Sequence, residues 1–178
     1  MQEFDEIITI CRSIFEKKTK DYGTSWRIMR LSTVTDQILI KAKRIRSIQE
    51  KRNQKVGDTI RDEFIGIINY CIIGMIQLNC EEENDVPLDV KDKTVSWYDY
   101  EVTVIKELLF NKNHDYGEAW RDMRITSITD IILMKLFRIK QIEDNNCSTI
   151  ISEGVGAGYQ DIVNYSIFSL ILMNQNDI

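Results

Sequence analysis

The chain has 178 residues, a net charge of −5 and 43% hydrophobic residues, the balance of a globular protein forming one compact domain or two small ones. The acidic balance argues against a dedicated nucleic-acid binder, whose phosphate contacts need a basic surface. One proline, eight glycines and few alternating apolar runs favour helices over strands.

In chain order, Ile7, Ile10, Cys11, Ile14 and Phe15 recur at helical spacing and predict a helix over 3–20. Asp21-Tyr22-Gly23 ends it, glycine suiting a left-handed stop. A short segment over 25–30 follows, and Thr33 or Thr35 is placed to cap a helix over 36–51. Asn53-Gln54-Lys55 reads as a turn before a long helix over 57–78. Residues 81–96, opening on Glu81-Glu82-Glu83, read as a solvated linker between units at 1–80 and 97–178. The order then repeats. A helix over 97–112, a break at Asp115-Tyr116-Gly117, a helix over 130–143, a turn at 144–147 and a last helix over 149–174 are expected. Gly154, Gly156 and Gly158 weaken the first turns of that last helix.

Cys11, Cys71, Cys80 and Cys147 form no C-x-x-C pair and follow no disulfide-scaffold spacing, so reduced thiols and a cytoplasmic location are expected. The acidic start has no basic n-region and reads as no signal peptide. Apolar stretches near 65–78 and 162–173 are interrupted by Asn and Tyr and read as too short to span a bilayer.

The repeat is explicit. Lys18-Thr19-Lys20-Asp21-Tyr22-Gly23-Thr24-Ser25-Trp26-Arg27-Ile28-Met29-Arg30 returns as Lys112-Asn113-His114-Asp115-Tyr116-Gly117-Glu118-Ala119-Trp120-Arg121-Asp122-Met123-Arg124. Between residues 17–50 and 111–144, 16 of 34 positions are identical, which establishes a tandem duplication. Each unit alone is marginal for an independent core, so the two are expected to pack on each other as one pseudo-twofold, all-α bundle of three-to-four-helix units.

Several polar residues fall on apolar faces. Lys41 lies among Ile38, Ile45 and Ile48, and Lys135 takes the same place among Ile132, Ile139 and Ile142. An inward lysine is costly unless paired or reaching water. Arg44 and Arg138 stand at the edge of that arc, where long basic stems also serve simply to cover apolar surface. On the last helix of each unit, Asp58, Asp62 and Asn69 share a face; at an offset of 95 Asp58 corresponds to Glu153 and Asn69 to Asn164, and that second face also carries Asp161. Stacked carboxylates repel unless a cation relieves them, either Mg²⁺ or the inward lysines as ion-pair partners.

Lys18, Arg27 and Arg30, with Lys112, Arg121 and Arg124, form a basic edge beside the Asp21-Tyr22 and Asp115-Tyr116 turns. Arginine forks suit phosphate, and equally suit helix ends or the protein's own acidic faces. Trp26 and Trp120 offer rings for a nucleobase, though core packing at the bundle mouth is the preferred reading. His114 is matched by Lys20 and reads as a surface cation. No P-loop, G-x-G-x-x-G, zinc spacing or Ser-His-Asp set is present.

The K-x-x-D-Y-G-x-x-W stretch, the D-x-x-x-x-K-x-x-R helix and the acidic helix ending in Asn69-Tyr70 and Asn164-Tyr165 resemble the nucleotide modification associated domain family, in duplicated form. The acidic helix is also similar to that of the MazG-type all-α nucleoside triphosphate pyrophosphatases. The resemblance to the nucleotide modification associated domain family implies an acidic pattern of three positions on that helix. The first copy keeps Asp58 and Asp62 but has Gly66 at the third; the second keeps Glu153 and Asp161 but has Ala157 at the middle one. A first-helix E-x-x-E has its spacing only in Glu3 and Glu6, unmatched in the second copy.

The implied function is Mg²⁺-dependent processing of a small-molecule nucleotide, with phosphoanhydride hydrolysis as the reaction. Asp58, Asp62, Glu153 and Asp161 would hold metal, while Lys41, Arg44, Lys135 and Arg138 would stabilise developing charge. The basic edge, the tryptophans, Asn69 and Asn164 would bind the nucleotide. A non-catalytic nucleotide-binding module and a purely structural helical bundle remain as alternatives, and a homo-oligomer is left open. The pattern also leaves open whether one composite site or two is formed.

Overall fold

The computed structural model describes residues 1–51, 55, 57–82, 86–145 and 154–175. Six α-helices are present among them: α1 (Gln2–Tyr22), α2 (Leu31–Lys51), α3 (Ile60–Glu82), α4 (Lys91–Tyr116), α5 (Ile125–Asp144) and α6 (Val155–Gln175). Single 3₁₀ turns, Ser25–Ile28 and Ala119–Asp122, follow α1 and α4. No strand occurs among the described residues.

α1 buries Phe4, Ile7, Ile8, Cys11 and Phe15 along one stripe and stops at Gly23, where φ is 63° and the amide donates to the Thr19 carbonyl at 2.9 Å. Gly117 ends α4 with the same φ and a matching bond to Asn113. A side chain is strained in that region, so both copies keep glycine.

Four helices start away from their expected positions. α5 begins at Ile125, ahead of the expected 130, where Ile128 and Thr129 are already buried. α2 begins at Leu31 because Leu31, Val34 and Thr35 are already buried. Thr35 is no cap: its hydroxyl lies inside α2, 2.6 Å from both Glu143 Oε1 and Tyr159 Oη. α3 begins at Ile60 because Thr59 and Asp62 form a reciprocal cap, the Thr59 amide donating to Asp62 Oδ2 at 2.8 Å and the Asp62 amide to Thr59 Oγ1 at 3.2 Å. α4 begins at Lys91, inside the expected linker, because the chain before it is tied down. Thr24 Oγ1 donates to the Leu88 carbonyl at 2.7 Å and accepts the Val90 amide at 3.2 Å. The expected turn at 53–55 and the start of the last helix at 149–153 lie largely outside the described residues.

The halves are interleaved. Each helix packs on its counterpart across the pseudo-twofold, α1 on α4, α2 on α5 and α3 on α6, and one continuous core runs through both. α3 and α6 sit at the centre and are buried on nearly every side, as expected of helices apolar all round. α3 (span Ile60–Glu81) is in fact long and apolar enough by composition to cross a membrane, contrary to the expectation from its Asn and Tyr interruptions. Yet 72% of its apolar window is buried against the other helices, the signature of a core helix.

Candidate nucleotide site

A cavity of about 670 Å³ opens in the first half, between the end of α1, the Ser25–Ile28 turn, α2 and the outer face of α3. Lys18, Tyr22, Trp26, Lys41, Asp58, Asp62, Asn69 and Tyr70, all but Tyr70 expected site residues, line it. Glu63 and Ile73, outside the expected site residues, line it too, with Gly66, which stands at the third position of the expected acidic pattern.

Glu63 is the electrostatic centre of this wall. It is buried, accepts from Lys41 Nζ at 3.1 Å through Oε2, and accepts from Arg44 Nη1 through Oε1. Arg44 also donates to the Asp58 carbonyl at 2.8 Å. The inward lysine therefore pairs with Glu63, and Asp62 is not its partner. Asp62 is committed to the α3 cap, and the Thr59 amide and hydroxyl hold its carboxyl below the usual range. Among the described residues the Asp58 side chain has no partner. A glycine at 66 is what lets Lys41 cross α3, since a Cβ there would lie 2.8 Å from Lys41 Cε.

The second half answers the same lysine differently. Glu63 aligns with Gly158 and Gly66 with Asp161, so the carboxylate has moved one helical turn along the helix. Asp161 sits between two cations, Lys112 Nζ at 2.7 Å and Lys135 Nζ at 2.6 Å. Burial pushes its carboxyl up, but the two lysine hydrogen bonds outweigh that and hold it below the usual range. Ile73 aligns with Phe168, whose ring stacks on Trp120 at 4.3 Å and 4°. These two substitutions fill the space that is open in the first half. What remains around Trp120 is a crevice of about 10 Å³, and another of about 20 Å³ lies by Lys135 and Arg138. Asn164 is buried with neither amide atom hydrogen-bonded, and the tyrosine that serves the Asn69 oxygen is replaced in this half. Asn69 accepts from Tyr98 Oη at 2.9 Å and donates to the Cys11 carbonyl at 3.1 Å, and the counterpart of Tyr98 is Phe4.

The duplicated arginines also diverge. Arg27 is buried and donates to Gln77 Oε1 at 2.7 Å and the Val86 carbonyl at 3.3 Å, so it braces α3 and does not line the cavity. Its counterpart Arg121 pairs with Glu3 at 2.5 Å and Glu118 at 2.7 Å while covering the Trp120 ring at 4.4 Å. That pairing also takes Glu3 away from any E-x-x-E role in the first-half site. Arg30, Arg124 and Arg138 are exposed, as are Asp21 and Asp115, and none of these lines the cavity. His114 is a surface residue beside Asp115, as expected. Glu153 and the side chain of Tyr116 lie outside the described residues.

The expected metal set is divided. Asp58 and Asp62 stand at the first-half cavity, and Asp161 is enclosed by lysines in the other half. Among the described residues no group of three or more His, Cys, Asp or Glu side chains gathers to hold a metal. Asp58 and Asp62 do not make a cage by themselves. Mg²⁺ already carried on phosphate oxygens would ask a protein for one or two carboxylates only, and these two are the ones that would hold it.

The fold and site thus define a duplicated helical bundle with one open and one filled copy of the same cavity. The family model described as Nucleotide modification associated domain 1 matches the chain twice, over residues 18–78 and 112–173. These matches cover well over half of the chain, which belongs to that family in duplicated form. No curated protein and no solved structure matches it.

Proposed function

We propose that the first half binds one small-molecule nucleotide as its Mg²⁺ complex and that the second half serves as scaffold. The observation that carries this reading is the open first-half cavity beside its filled copy. Its volume falls within the range of small-molecule sites, and aromatic and cationic groups share its walls. The lining carries Lys18 and Lys41 against Asp58, Asp62 and Glu63, so a bare polyanion would meet net repulsion. Mg²⁺ on the phosphates removes it, with Asp58 and Asp62 as the protein's carboxylates. Lys18 and the Lys41 N–H groups not used by Glu63 would hold phosphate oxygens, and Trp26 would support the base.

Hydrolysis of a phosphoanhydride, by likeness to the MazG-type enzymes, is the second reading, supported by Asp58, which lines the cavity with no side-chain partner among the described residues. A cytoplasmic setting agrees with the buried thiols of Cys11 and Cys71.

Thermal stabilisation by nucleotides with Mg²⁺ tests the binding reading. Lys18→Ala should abolish the shift, and Lys112→Ala, at the filled copy, should leave it intact. A shift equally reduced by both variants, or no shift with any nucleotide, rejects the reading. Pyrophosphate or phosphate release in the same samples separates hydrolysis from binding.

A further inference from the structure

The geometry points to the filled half as an internal outline of the first half's ligand: a planar ring stacked on Trp26 and an anion bridging Lys18 and Lys41, joined in one molecule. This rests on the nucleotide reading and names its class as a nucleoside polyphosphate.

In the second half the chain supplies both ends of that outline. Phe168 lies flat on Trp120, 4.3 Å away at 4°. The Asp161 carboxylate bridges Lys112 and Lys135. In the first half the tryptophan and both lysines are kept, and the two filling residues are Ile73 and Gly66, which line the open space. No ring stacks on Trp26 among the described residues. The same walls lack the ring altogether. Their own carboxylate, Glu63, answers Lys41 from one turn back, so among the described residues Lys18 is left without the anion that Asp161 gives Lys112.

The outline also has a length. Residues 161 and 168 are seven apart on α6, which is about 10 Å along the axis at 1.5 Å per residue. A free base or nucleoside has no anion at that reach, and tripolyphosphate has no ring. A nucleoside with a chain of phosphates has both. Recognition therefore needs the two ends together, and either end alone should bind at least about tenfold more weakly.

Two reciprocal variants test this by titration calorimetry. Gly66→Asp with Ile73→Phe moves the filling groups into the first half. A β-carbon introduced at position 66 has the flexible end of Lys41 as its nearest neighbour, at 2.8 Å, so that lysine has to shift to admit it. Asp161→Gly with Phe168→Ile empties the second. The probes are the four deoxynucleoside triphosphates with Mg²⁺, the four deoxynucleosides, and tripolyphosphate. Expected are one nucleotide per wild-type chain, none for the filled first half, and two for the opened second half, with both partial probes weak. A filled first half that still binds one nucleotide, or a nucleoside as tight as its triphosphate, overturns the outline and leaves the nucleotide reading standing. Wild-type protein that binds no nucleotide overturns both. Circular dichroism checks folding, and if the opened variant unfolds, the filled one decides alone.

Discussion

Lys41 and Gly66 occupy one space: a β-carbon at position 66 would lie 2.8 Å from the lysine's Cε and 3.0 Å from its Nζ. The lysine crosses α3 there to reach Glu63, and the energetic consequences of that crossing are measurable.

Glu63→Ala strands Lys41 and Arg44 against an apolar wall. A loss of about 3 kcal/mol in unfolding free energy is expected, the low end for breaking a buried pair, since both cations keep some water contact. Glu63→Leu with Lys41→Met removes both members of the pair and should recover most of that loss. Urea denaturation of the three proteins reads the difference. A double variant as unstable as the single one would contradict the pairing.

Asp62→Ala removes the reciprocal cap of α3 and should cost about 1 kcal/mol. The folded carboxyls of Asp62 and Asp161 both sit below their ordinary value of 3.8. Their contributions are present above that value and disappear as pH falls through the lower folded one. Asp161→Asn should therefore flatten the acid limb of the stability curve below about 3.8. A limb unchanged in the Asn variant argues against the lysine bridge.

Glu143 offers the opposite sign. Burial pushes its carboxyl above the usual 4.5, and the Thr35 hydroxyl and Lys140 only partly oppose this. The protonated form suits the fold, so its contribution is full below about 4.5 and is lost as pH rises through the folded value. Across the pseudo-twofold the equivalent contact is already neutral, Gln49 Nε2 donating to Thr129 Oγ1 at 3.0 Å. Glu143→Gln should raise stability at neutral pH by on the order of 1 kcal/mol, the scale of one neutral hydrogen bond. The gain should vanish as the solution approaches 4.5, and melting curves against pH follow it.

The two tryptophans should separate stability from binding. Trp120→Ala removes a buried, stacked ring and should cost about 3–5 kcal/mol. Trp26→Ala removes a half-buried ring from a cavity wall and should cost less than half as much, while weakening nucleotide binding. Arg27→Ala should act through stability alone, since its guanidinium holds Gln77 and Val86. Equal destabilisation by the two tryptophan variants would deny the asymmetry of the halves.

The duplication, the all-α class and the helix order were legible because helical spacing, the Gly23 and Gly117 stops and the internal match are local signals. The helix starts were not, because burial of Leu31 and the Thr24 bonds to Leu88 and Val90 are set by distant parts of the chain. At the site, comparing the copies singled out Lys41 and Lys135 but passed over Glu63, since its counterpart is Gly158. A paired exchange, Glu63 with Gly66 against Gly158 with Asp161, is the signal that finds it. The arginines show the converse. Arg27 and Arg121 are the same residue in the same motif, yet Gln77 aligns with Leu172, and without the glutamine Arg121 turns to Glu3 and Glu118.

Tyr98 donates to Asn69, so a residue of the second half helps build the floor of the first half's cavity. In a symmetric dimer of single units, any mutation that closed one cavity would close both. Joining the units in one chain removes that constraint, since each copy then mutates separately. The second unit here differs in its cavity while keeping its contacts with the first, so one chain carries two unlike halves of a symmetric interface.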